Sequence, residues 1–153
     1  MDYLMQLLSN KILFAGLISW IIAQVFKAIN NIIITGKFSF ERLFGDGGMP
    51  SGHSATVSAV MLSVGFECGF DSAIFALAAI LAIIVMHDAM NVRLESGKQA
   101  HLLNIMTEHL ERLTGTDIDN DEKLKELLGH TPTQVAAGCA LGLVVAIVIH
   151  LVG

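Results

Sequence analysis

The residues of this 153-residue chain best equipped for chemistry are a glycine-rich loop, two histidines and a few scattered cations. The loop reads Gly45-Asp46-Gly47-Gly48-Met49-Pro50-Ser51-Gly52-His53-Ser54 and opens directly into an apolar run. At such a junction the first backbone N–H groups lack helical partners and the helix dipole is positive, which favours an anion. Ser51 and His53 add side-chain donors, so phosphate is the natural ligand. The plainer reading of the same residues is a turn with an N-cap, Ser51 or Ser54 being the cap. The second histidine, His130, follows the helix stop Gly129 and precedes Pro132 at the entrance to the last apolar run. A neutral imidazole is a competent nucleophile near neutral pH, and a protonated one can give its proton to a leaving alkoxide. Arg42 and Arg93 lie in the adjoining polar segments, within reach of this boundary.

The elements that position these residues are membrane helices. Apolar residues make up 54% of the chain and charged residues 15%, and the apolar ones collect in long runs nearly free of charge. A soluble domain would instead distribute them in short periodic stripes. The runs place spans at about 12–35, 54–70, 72–91 and 134–152, with a polar connection over 92–130. The expected fold is therefore an all-α integral membrane bundle of about four transmembrane helices in a single domain, 1–153. The first run is read as a retained span, because Asp2 precedes it and no small-residue cleavage site follows.

Small residues line two of these spans. Ala55, Ala59 and Ser63 share one helical face, and Gly138 and Gly142 lie four apart on the last span, so other helices can approach closely. Within the polar connection, Ala100, Leu103, Met106, Leu110 and Leu113 fit an amphipathic helix, and a short helix is expected over Asp121–Leu128. Four spans put loop 36–52 and the connection 91–130 on one side. That side carries Lys37, Arg42, Arg93, Lys98, Arg112, Lys123 and Lys125 against Lys11 opposite, so it is expected to be cytoplasmic.

Several residues have plainer readings beside the functional ones. Lys27 could snorkel to the boundary, and Asp88 with Arg93 could form an ion pair that also orients Arg93. Asp117, Asp119 and Asp121 open like a calcium loop, but Glu122 replaces the required glycine and Leu128 the closing glutamate. His101 and His109 are too far apart to share a metal across neighbouring turns. Cys68 and Cys139 read as packing residues, and a net charge of −5 without a basic stripe excludes a nucleic-acid surface.

The residues Pro50-Ser51-Gly52-His53 match a signature of the type 2 phosphatidic acid phosphatase superfamily, which includes vanadium-dependent haloperoxidases. The wider pattern resembles that superfamily's divergent small bacterial and plant branch over nearly the whole chain. It comprises Gly47 to Ala55, Asp88 to Arg93, Gln99 with Asn104, and Leu128-Gly129-His130-Thr131-Pro132. The resemblance implies His53 as general acid and His130 as the nucleophile that forms a phosphohistidine. It also implies Lys27, Arg42, Gly48, Ser51, Gly52 and Arg93 around the phosphate, Asp88 and Gln134 in support, and neither metal nor cofactor. The chain departs from the superfamily's pattern where Leu124 stands for an arginine, Gln134 for an aspartate, and Ile34 in the first motif. A glutamine orients an imidazole but does not stabilise an imidazolium as a carboxylate does.

The function expected is a membrane phosphatase-like protein that hydrolyses a phosphate ester or pyrophosphate, lipid-linked substrates included, in a bacterial inner or plasma membrane. The competing expectation is a non-catalytic protein that binds a phosphate or phospholipid head group or serves in assembly. Membrane lipid is the expected surrounding. A homodimer is also expected, because superfamily bundles usually have six helices, and the Gly138–Gly142 face is its suggested contact.

Overall fold

A computed structural model describes residues 2–36, 48–115, 124 and 129–152. All regular structure among them is helical: α1 (Asp2–Leu8), α2 (Lys11–Thr35), α3 (Gly52–Cys68), α4 (Ala73–Met90), α5 (Val92–Thr114) and α6 (Pro132–Val152). Helices thus cover the four apolar runs read from the sequence. Arg42, Lys37, the loop's Gly45-Asp46-Gly47, the calcium-like acids and the expected Asp121–Leu128 helix with Lys123 and Lys125 lie outside the described residues.

Local chemistry explains where the helices begin and end. Asn10 caps α2 by accepting from Leu13 N at 3.0 Å, and Gly36, with φ of 67°, ends it in the left-handed conformation that glycine tolerates. Ser51 caps α3 and Ser72 caps α4 through side-chain oxygens that accept backbone N–H groups. Pro132 occupies the first turn of α6, where its missing N–H costs nothing.

Helix α3 is the centre of the bundle, packed by α2, α4 and α6. Its partners fix the directions. A β-carbon on Gly16, early in α2, would meet Val60, whereas Lys27, late in α2, lies beside Gly52, so α2 and α3 are antiparallel. A β-carbon on Gly138 would run into Ser51 O, and one on Gly142 into Ala55 O, so α3 and α6 are parallel and nearly in backbone contact. The core is accordingly built of small residues: Ala15, Ala23, Ala55, Ala59, Ala82, Ala146, Ser19, Ser54, Ser58 and Ser63 are buried. The Gly138–Gly142 face suggested for a dimer is instead filled by α3 of the same chain, because only glycine lets these two backbones come so close.

The large apolar residues point outward. Leu77 is 72% exposed, and Ile80, Leu81, Ile83 and Ile84 of α4 are also exposed, while only Ala82 and Ala89 of that helix are buried. In water this arrangement would leave far more apolar surface uncovered than a soluble monomer carries; in lipid it costs nothing. Among the described residues three helical stretches are long and apolar enough to cross a membrane: α2, α6 and the run Ala73–Thr114 that begins with α4. Helix α3, at 17 residues, is at the short end of spanning length and connects the same two faces. The chain is an all-helical membrane bundle.

The amphipathic helix of the polar connection forms as expected but starts at Val92, directly after α4, with Asn91 between them. Asn104, one of the residues of the resemblance, holds Leu124 with two hydrogen bonds, accepting from its N at 3.1 Å and donating to its O at 3.0 Å.

Candidate functional site

The C-terminal ends of α2 and α4 and the N-terminal ends of α3 and α6 share one face of the bundle. The glycine-rich loop reaches this face through Gly48, whose φ of 83° requires glycine, and through a cis peptide between Met49 and Pro50. Asn30 of α2 donates to Met49 O at 3.1 Å and ties the loop to the bundle.

Ser51 and Gly52 are buried at the start of α3. Ser51 Oγ accepts from Ser54 N at 3.3 Å and from Ser54 Oγ at 2.9 Å, so Ser51 is the N-cap and Ser54 its support. Ser51 N donates to Gln134 O at 3.0 Å, which joins the loop to α6. The expected capped turn is present, and Gly52 stands directly behind the capping hydroxyl.

Three side chains of α2 converge on Gly52. A β-carbon built there would lie 3.5 Å from Trp20 Cδ1, 3.7 Å from Lys27 Nζ and 3.8 Å from Gln24 Nε2. Lys27 is only 7% exposed, and its stem passes Gly48, whose β-carbon would be 3.8 Å from Lys27 Cγ. The lysine does not extend into bulk water as simple snorkelling would have it. Its ammonium is held beside the first turn of α3, where helix dipole and side-chain charge have the same sign. Gln24 is 8% exposed, and its Oε1 has no hydrogen-bond partner among the described residues.

His130 enters from the other side. It is 2% exposed, and its N–H donates to Ala89 O at 2.9 Å, satisfying a carbonyl at the end of α4. Gly129, with φ of 86°, packs so tightly on the backbone of Arg93 and Leu94 that a β-carbon could not fit. The ring is oriented by Gln134, whose Oε1 lies 3.3 Å from His130 Nδ1. The same Oε1 accepts from Thr131 N at 3.0 Å, and Thr131 Oγ1 accepts from Gln134 N at 3.4 Å, a reciprocal capping box at the start of α6. Because the backbone N–H of Thr131 requires an acceptor, the carboxamide oxygen is fixed at this place. It therefore accepts from Nδ1–H, and the ring's lone pair lies on Nε2.

His53 stands in the first turn of α3 with an exposed side chain. Arg93 Nε pairs with Asp88 Oδ2 at 2.8 Å, with the two side chains 45% and 40% exposed. The expected ion pair is present, at the same face but at its rim. The structure thus brings together Lys27, Gly48, Ser51 and Gly52, and sets His130 with Gln134 beside them through α6. Sequence reasoning missed Trp20, Gln24 and Asn30. The signal was a polar stripe at helical spacing, Gln24, Lys27 and Asn30, inside an otherwise apolar run. Among the described residues no cluster of His, Cys, Asp and Glu could hold a metal ion, and Cys68 and Cys139 are free thiols.

A family model described as "Divergent PAP2 family" matches residues 8–145. The chain is 37% identical over 153 residues to YuiD of Bacillus subtilis (strain 168), described as an uncharacterized membrane protein. That alignment covers 95% of this chain and 97% of the relative. No solved structure matches.

Proposed function

The chain belongs to the divergent PAP2 family, and from that membership we propose that it is a membrane phosphatase-like protein acting on a phosphate ester or pyrophosphate. The observation that carries this reading is the buried Lys27 ammonium beside Gly52, at the positive end of α3. A cation beside a helix start suits an anion, and the backbone N–H groups behind Ser51 would serve as donors to its oxygens.

In the proposed reaction His130 Nε2 attacks phosphorus while Nδ1–H remains on Gln134 Oε1. The bond from phosphorus to the leaving oxygen breaks, and that oxygen takes a proton from His53. Water then attacks the phosphohistidine, giving its proton back to His53 and releasing phosphate. Lys27 holds the phosphoryl oxygens, and Arg93, oriented by Asp88, meets the substrate at the rim. Arg42, outside the described residues, belongs to the same loop and is proposed for the same role. The excess of positive charge in the connections supports a cytoplasmic orientation of this face, in a bacterial inner or plasma membrane. A lipid-linked substrate fits a site at the end of a lipid-facing bundle.

The burial of His130, together with a glutamine where a carboxylate would stabilise the imidazolium, favours a second reading in which the pocket binds a phosphate or phospholipid head group without turnover. Phosphate release by purified protein in detergent, with trapping of an acid-labile phosphoenzyme, separates the two. His130→Ala should abolish both signals, and His53→Ala should slow turnover most for poor leaving groups. Full turnover by folded His130→Ala protein would remove His130 from catalysis. Binding without release by the wild-type protein would establish the second reading.

A further inference from the structure

We infer that α5 is an interfacial helix, its apolar stripe lying in the head-group boundary of the membrane leaflet from which α4 emerges. Neither the anion site nor the histidines are needed for this.

Helix α5 is arranged inside out by the standard of a soluble protein. The face that the chain covers is made of small or polar residues, Gly97, Ala100 and Asn104. Its large apolar residues are outside: Leu102, Leu103, Met106 and Leu110 are roughly half exposed, and Leu113 is 84% exposed. Leu103, Met106, Leu110 and Leu113 recur at intervals of three and four and form one stripe, while His101, Glu108 and Arg112 occupy the opposite side. Among the described elements α5 packs only against α4, so no other helix covers the stripe. In water it would be a contiguous apolar patch of the kind that soluble surfaces avoid.

Its neighbour α4 indicates the occupant. The outward face of α4 consists of Leu77, Ile80, Leu81 and Ile84, all large and all exposed. Membrane helices that pair meet through small residues, so this face suits lipid chains and not a second copy. Helix α5 starts at Val92, with only Asn91 between it and the end of α4 at Met90, so its first turn is fixed at the bilayer boundary. At Asn91 a φ of −112° and a ψ of −74° depart from helical values, so α5 does not continue α4 as one straight rod. A helix tethered at the boundary, bent at its root and apolar along one side satisfies that side by settling into the leaflet. A coiled-coil seam is the poorer match, because the stripe covers fewer than two heptads, short of the roughly three that such a seam needs.

The charges of α5 select no particular lipid. Arg93, Lys98 and Arg112 are matched by Glu95, Glu108 and Glu111, and Lys98 pairs with Glu95 at 2.7 Å. Insertion is therefore driven by apolar area, and a zwitterionic leaflet takes the helix as well as an anionic one. The segments fastened to α5 are then held at membrane height: Leu124 by the two hydrogen bonds of Asn104, and Gly129, next to His130, against the backbone of Arg93 and Leu94.

Spin labels on the full chain test this placement in vesicles of phosphatidylcholine and in vesicles enriched in phosphatidylglycerol. Cys68→Ala and Cys139→Ala leave one introduced thiol at a time. Leu103→Cys, Met106→Cys and Leu110→Cys sample the stripe, and His101→Cys, Glu108→Cys and Arg112→Cys the opposite side. All six positions are exposed, so the substitutions leave the packing of the bundle untouched. Stripe labels should collide several-fold more often with dissolved oxygen than with a water-soluble nickel chelate, and labels opposite should show the reverse, alike in both kinds of vesicle and at high salt. Stripe labels open to the nickel chelate would put α5 in water and overturn the inference. Stripe labels shielded from both, with spin–spin broadening that dilution by unlabelled protein removes, would give the stripe to a second copy and overturn it as well. An oxygen preference confined to the anionic vesicles would overturn apolar area as the driving force.

Discussion

The two ends of the bundle have similar inventories and opposite uses for them. The site end has Lys27, His53, His130 and a serine cap; the far end has Lys11, His150, Glu67 and serines of its own. At the site end Ser51 and Thr131 cap α3 and α6 while α5 starts after Asn91 with no side-chain cap bond, and at the far end Asn10 and Ser72 cap α2 and α4. Dipoles therefore do not distinguish them. At the far end Phe66 stacks on His150, with ring centroids 4.1 Å apart and planes 14° from parallel, and Lys11 and Glu67 border a shallow cleft. Charge of both signs is present there. At the site end a lysine is buried with its ammonium beside the first turn of α3. On the proposed reading, the difference teaches that an anion site is made by the position of one cation and the absence of a β-carbon beside it, and not by residue type.

The largest effect expected from breaking this comparison is structural. The site end exists because α6 lies directly on α3, and a β-branched residue at Gly138 would drive into the backbone of Ser51. Gly138→Val should cost several kcal/mol, since neither backbone can retreat without opening the seam. Thermal unfolding in detergent should show a loss of the cooperative transition or a fall well beyond ten degrees. At Gly36, whose surroundings are open, the same measurement should register only the strain of a positive φ, about 1 kcal/mol.

Next in size is the pair of lysines. Lys27→Met should weaken phosphate binding by on the order of 10²-fold, the range seen when a preorganised donor to an anion is removed. Lys11→Met, at the other end, should leave it unchanged. Equal effects of the two would mean that general surface charge, rather than the place of Lys27, attracts the anion.

Much of this was legible in the chain beforehand, for definite reasons. Spans were readable because lipid imposes long apolar runs, and Ser51, Gly52 and His130 were readable because caps, helix stops and a glycine-rich entry have fixed chemistry. The small-residue faces were visible too, but their partner was not: glycines at Gly138 and Gly142 announce close approach without saying to which helix. Here α3 of the same chain takes that face. Gln24 was hidden for another reason. A glutamine in an apolar run is ambiguous until the third dimension shows that its Nε2 lies beside Gly52 and that its oxygen has no partner among the described residues. Gln134, in turn, was legible as a substitute for a carboxylate but not as one half of a capping box.

A smaller effect is expected where the missing β-carbon is restored. Alanine at Gly52 would make ordinary van der Waals contacts with Trp20, Lys27 and Gln24, all 3.5–3.8 Å away, so the fold should survive. The methyl group would still occupy the space that an oxygen of the anion needs between the α3 amides and Lys27. Gly52→Ala should therefore weaken phosphate binding by about tenfold, roughly the loss of one charge-assisted hydrogen bond, while its melting temperature stays within a few degrees of wild type. Unchanged binding would place the anion elsewhere.

The smallest effect concerns Gln134, where structure and chemistry are superposed on one side chain. Its Oε1 caps α6 through Thr131 N and orients His130 through Nδ1. Gln134→Ala removes both contacts and should destabilise the protein by about 1 kcal/mol, the usual loss at a helix N-terminus. Gln134→Glu separates the two roles. A glutamate completes a capping box as well as a glutamine does, so stability should return to the wild-type value. Its carboxylate also stabilises an imidazolium on His130, which the carboxamide does not. If His130 is the nucleophile, formation of the phosphoenzyme should rise in Gln134→Glu and fall in Gln134→Ala. If His130 only fastens α6 to α4 through Ala89 O, the two variants should differ in melting temperature and in nothing else.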